Sequence, residues 1–232
     1  MKTSNLLELR SVRNFKRNIR RTDKVINQIR NNINASEALV EHFRDSHIRG
    51  SKKASKLLII SKKDLSYIYE LGFIALLSNF ESFMFDLTKE LVKKYPETIS
   101  SEKMITVHSL REFKSINQLI DFQVDAYAIE KSYSMSDWRE YLKQVFGVDI
   151  FSGNSTKWNL LLILNEIRNC YLHSNSKTTS KFIKHVKPYL HAEIPLNQPI
   201  KLDREKHYHK LYTLLRSVAE PDKNIKTVNR VN

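Results

Sequence analysis

At 232 residues, 41% hydrophobic and 28% charged, the chain has the length of about one to one and a half domains and the composition of a folded globular protein. Four glycines and five prolines are too few to turn an all-β fold or a linker-dominated chain, and one cysteine, Cys170, excludes an intrachain disulfide framework and a cysteine-rich zinc module. Lys and Arg total 39 against 25 Asp and Glu, a net charge of +14. Such a field favours polyanions, nucleic acid above all; the plainer alternative is a solvated basic face that keeps the chain soluble.

No apolar run reaches the length of a membrane span, and the opening MKTSNLLELRSVRNF lacks the apolar stretch of a signal peptide. The expectation is a cytoplasmic, all-α chain with no membrane partner. Residues 1–65 carry sixteen Lys and Arg against six Asp and Glu, so most of the excess charge is local.

From 5 to 49 the pattern predicts one long basic amphipathic helix. Val12, Ile19, Ile26, Ile33 and Val40 share one heptad position; Phe15, Thr22, Ile29, Ser36 and Phe43 share the other. Arg13, Lys16, Arg17, Arg20, Arg21 and Lys24 fall mainly off this stripe and are the candidate RNA-binding residues. A coiled coil through the stripe is conceivable, but Thr22 and Ser36 weaken its second seam, so packing inside the chain is favoured. Gly50-Ser51 marks a break. A second helix, 64–95, opens on Asp64 as its cap and stops before Pro96; it is apolar nearly all round, with Glu81 set within its SNFESF run.

Shorter helices are expected at 109–130 and 136–146. Ser155 or Thr156 should cap a strongly apolar helix ending near Ser174, and a polar SNSKTTS stretch leads to a short helix at 179–190. Pro195 and Pro199 keep the next segment extended or turn-like. Asp203 starts a last helix that Pro221 ends, leaving 222–232 as a disordered tail. Together these elements predict a single helical-bundle domain over 1–221.

P-loop, dinucleotide, nucleophile-elbow and zincin signatures are absent, and no cofactor or metal ligand set is expected. What remains is Arg168-Asn169-Cys170-Tyr171-Leu172-His173 near the end of an apolar helix. Arginine offers a forked, permanent charge at Arg168, histidine at His173 is the side-chain type suited to moving a proton at neutral pH, and Asn169, four residues before His173, shares its helix face. Each also has a structural reading: Arg168 as the core partner of Glu81 or Glu166, His173 as a favoured cation at a helix C-terminus.

The RNxxxH element, in an all-helical chain with a buried SNFESF helix upstream, resembles the HEPN superfamily over about 64–218. It is most similar to the prokaryotic ribonucleases of the toxin and phage-defence group, RiboL-PSP-HEPN proteins included. The resemblance implies a metal-independent endoribonuclease whose composite active site forms where two subunits of a homodimer join their motifs. Arg168, Asn169 and His173 would be catalytic, with Glu81 in support. It also implies 2′,3′-cyclic phosphate and 5′-OH ends and an antitoxin or defence-system partner. Some such toxins carry a modifiable Tyr two residues after the motif His; here that position is Asn175. Five residues separate Arg168 from His173, about 140° on a regular helix. They converge only if the helix frays before Ser174 or if two copies meet across a two-fold axis. The rival expectation is a non-catalytic basic helical module that binds RNA or a protein partner.

Overall fold

A computed structural model describes residues 9–45, 62–99, 113–132, 134–151, 153–190, 193–200 and 203–220. Among them the chain is all-helical: α1 (Arg10–Asp45), α2 (Lys62–Lys94), a 3-10 turn (Pro96–Thr98), α3 (Ile116–Glu130), α4 (Met135–Phe146), α5 (Ser155–His173), α6 (Ser180–Val186) and α7 (Arg204–Ala219). No described helix is long and apolar enough to cross a membrane. The Gly50 break, the first residues of the 109–130 helix and the 222–232 tail lie outside the described residues.

Packing divides the chain into two compact units, each drawn from separated stretches of sequence. The first draws its described residues from the stretches Met1–Lys16, Asn79–Leu162 and Ser217–Asn232. Here Phe15 of α1 stacks on Phe83 of α2, with ring centroids 4.4 Å apart. The α1 N-terminus has no acidic residue of its own in its first turn. Glu90 of α2 supplies one: its carboxylate oxygens accept the Arg10 and Ser11 N–H groups, each at 2.8 Å. Two donors that the helix itself cannot satisfy are thereby paired, at the positive end of its dipole. Val92, Val124 and Tyr127 form a buried cluster that Tyr141 and Phe146 extend. Ser115 and Ser134 cap α3 and α4, and Gly147, at φ +67°, closes α4 in the left-handed conformation glycine tolerates best. Within the expected 109–130 helix, α3 begins at Ile116, because Ser115 accepts the Gln118 N–H and fixes that boundary.

The second unit draws its described residues from Arg17–Ser78 and Ile163–Arg216. Gly72 sits where α1, α2 and α7 crowd together: a Cβ there would lie 2.8 Å from the Tyr208 ring and 2.9 Å from Ile26. Tyr208 and Tyr69 are buried ring neighbours, and their hydroxyls donate to Asp23 and Glu205. Burial, ahead of the adjacent carboxylates, raises both phenols above their ordinary range. Asp203 accepts the Lys206 N–H at 3.0 Å and begins α7 as expected.

All five residues of the first heptad position, Val12, Ile19, Ile26, Ile33 and Val40, are buried, as is Phe15. Packing within the chain consumes this seam and leaves it no surface for a coiled-coil partner. The polar members of the second seam, Thr22 and Ser36, donate their hydroxyls to carbonyls four residues back, which is how such residues are tolerated inside a helix.

Candidate functional site

Helix α5 begins at Ser155 because Asn154, not Ser155 or Thr156, is its cap: the Asn154 Oδ1 accepts the Lys157 N–H at 3.0 Å. One side of the helix is anchored by Trp158, Leu161, Leu164 and Ile167, all buried. The helix stays regular through His173 and then reverses sharply. Asn175 and Ser176 both adopt positive φ, 49° and 58°, and the Ser174 and Ser176 N–H groups donate to the Cys170 carbonyl. Asparagine tolerates that region; serine enters it at a cost that the surrounding bonds must offset.

Thr178 holds the reversal. It is buried, donates its hydroxyl to the Pro195 carbonyl at 2.6 Å and accepts the Gln198 N–H. Thr179 then caps α6 by accepting the Phe182 N–H. This path carries Thr179 and Lys181 back beside α5. Together with Glu166, Asn169, Cys170, His173 and Ser174 they line a cavity of about 250 Å³. The α5 contributors recur at helical spacing, so one face of the helix supplies all four.

His173 and Lys181 are exposed, while Asn169 and Glu166 are half-buried. Tyr171, on another face, donates to the Ile200 carbonyl and serves as an anchor. Cys170 is 3% exposed, and burial, the largest influence, pushes its thiol above the ordinary range; the carboxylate of Glu166 acts in the same direction. A protonated, shielded thiol is a poor nucleophile.

Arg168 and His173 do not converge within one chain, as the regular-helix geometry expects when α5 does not fray. Arg168 is 9% exposed, its guanidinium donates to Asn165 one turn back at 2.8 Å, and it is not among the cavity's lining residues. Since α5 does not fray, the two side chains keep the angular separation of a regular helix. Glu81 is half-buried on α2 and belongs to the first unit, whereas the cavity belongs to the second. Of the basic residues of α1, Arg13, Arg17, Arg20, Arg21 and Lys24 are exposed, and Lys16 is ion-paired with Glu220 at 3.4 Å.

Sequence reasoning missed Lys181, Thr179 and the pair Glu166–His185, whose Oε1 and Nδ1 lie 2.9 Å apart. Glu166 was legible: it precedes His173 by seven residues, two helical turns on the same face. The others depend on a reversal that no local pattern spells out. Among the described residues no three His, Cys, Asp or Glu side chains converge as a metal ligand set. No family model, no curated protein and no solved structure matches this chain.

Proposed function

We propose that this chain is a metal-independent endoribonuclease of HEPN type, an effector of the toxin or phage-defence kind. The observation that carries the reading is the exposed His173 sharing one open cavity with Asn169 and Lys181. In this reaction His173 takes the proton of a ribose 2′-OH as that oxygen attacks the adjacent phosphorus. The P–O5′ bond breaks, leaving a 2′,3′-cyclic phosphate, and the 5′-oxygen departs with a proton from a second acid. In a homodimer the His173 of a second copy would supply that proton.

Asn169, four residues from His173, fits the task of holding a phosphoryl oxygen. The cation at the cavity is Lys181, so the transition-state charge falls to its ammonium, and buried Arg168 takes the part of a positioning residue that fixes α5 through Asn165. The exposed Arg and Lys of α1 fit the sugar-phosphate backbone. An enzyme that cuts cellular RNA requires restraint, which makes a cognate antitoxin or defence-system protein part of this proposal.

Purified chain incubated with total RNA in excess EDTA is expected to release fragments ending in cyclic phosphate. His173→Ala should cut about 100-fold more slowly or worse. Loss of cutting on chelation would overturn the metal-free mechanism. The burial of Arg168 favours a second reading, a basic module that holds RNA without cutting it; salt-sensitive binding with intact RNA under every condition would decide for it.

A further inference from the structure

The proposed reaction needs two proton-transfer groups; His173 lines the cavity, and a second imidazole, His185, is held by the lining residue Glu166. His185 of α6 places its Nδ1 2.9 Å from the Glu166 Oε1, and Glu166 is a cavity-lining residue. The Glu166 side chain is only 15% exposed, so its carboxylate has given up most of its water and holds this imidazole in exchange; the His185 side chain, at 43%, stays open to solvent. Buried Phe182 and Val186 clamp α6. His185 follows Lys181 by four residues, one turn along the same helix face, and Lys181 also lines the cavity. His185 is thus one hydrogen bond from the cavity on its α5 side and one helical turn from it along α6. Along α5, Glu166 and His173 are two turns apart, about 10 Å of rise, so Glu166 holds His185 at a different point of the cavity wall from His173.

We infer that His185, oriented by Glu166, is the second acid–base residue of this cavity, so that one chain carries both imidazoles of the RNA transesterification. The inference rests on the ribonuclease reading and removes its need for the His173 of a second copy. A carboxylate on Nδ1 commits that nitrogen to donating, which leaves Nε2 as the working atom. In the protonated form, Nδ1–H stays on Glu166 and Nε2–H is given to the departing 5′-oxygen as the P–O5′ bond breaks. His173 holds the proton of the 2′-OH at the end of the step, and exchange with water restores both rings.

The test compares RNA with uridine 3′-(4-nitrophenyl phosphate), whose phenolate leaves without protonation. His185→Ala is expected to slow RNA cleavage about 100-fold and to leave the nitrophenyl ester within a few-fold of wild type, whereas His173→Ala slows both. Glu166→Gln should give a smaller loss with the same split. His185→Asn, which keeps a donor towards Glu166, repeats the comparison if the alanine variant folds poorly. Equal losses on the two substrates, or RNA cleavage at the wild-type rate in His185→Ala, overturn the inference and leave the ribonuclease reading standing. Wild-type protein inert towards both substrates overturns the ribonuclease reading and this inference with it.

Discussion

Arg168 and His173 belong to one short motif yet occupy opposite physical settings. The guanidinium is withdrawn from solvent and tied to Asn165, while the imidazole ends α5 in the open. Truncating a buried, hydrogen-bonded cation removes packing and strands its partner, at a cost of about 2–3 kcal/mol; an exposed surface residue rarely matters by more than about 0.5 kcal/mol. Arg168→Ala should therefore lower the urea midpoint markedly, and His173→Ala should unfold with the wild-type curve. A His173→Ala variant as destabilised as Arg168→Ala would show that the imidazole is a structural group. The catalytic assignment of His173 depends on that contrast between lost activity and retained stability.

At the scale of elements, caps and crossings decide where helices begin and which faces they bury. Glu90 of α2 acts as a cap for α1, a helix remote from it in sequence. Burial alone would raise the Glu90 carboxyl, but the Ser11 and Arg10 N–H groups, with Arg13 nearby, outweigh it and hold the carboxyl below the usual range. A lowered folded-state pKa means stability that is fully present above the unfolded value and fades as pH falls through the folded one. Glu90→Gln should cost about 1 kcal/mol at neutral pH. The gap to wild type should close in urea titrations as pH drops below about 4. A gap that persists in acid would mean the glutamine loses packing rather than charge. Local cap residues, by contrast, act within reach of their own helix: Asn154, Ser115 and Thr179 each accept an N–H three residues ahead.

For the whole molecule the governing quantity is the charge of +14. Exposed Arg13, Arg17, Arg20 and Arg21 extend along α1, whose buried stripe faces inward. Each phosphate neutralised on a single strand contributes about −0.7 to the slope of log affinity against log salt. Replacing these four arginines by glutamine should therefore flatten the slope by about 3 in filter binding to single-stranded RNA, at every RNA sequence alike. An unchanged slope would assign the charge to solubility and move the RNA path elsewhere. The same variant should cut a short substrate such as the nitrophenyl ester at the wild-type rate, since α1 supplies no lining residue of the cavity.

Periodicity and composition were enough to read an all-helical chain. The seven-residue stripe of α1, the apolar α2 and the Asp203 start of α7 are local facts, and local propensity with amphipathic spacing dictates them. The motif Arg168-Asn169…His173 was equally visible, because both ends of it lie on one helix. Its division into a buried arginine and an exposed histidine was decided by packing, since only the neighbours of α5 determine which of its faces meets water. Likewise the meeting of Glu166 with His185, and the placing of His173 and Lys181 along one cavity, depends on the left-handed turn at Asn175 and Ser176 that Thr178 fastens. Contacts across such a reversal join residues far beyond the reach of any helical period, so the sequence named the histidine and the tertiary structure chose its companions.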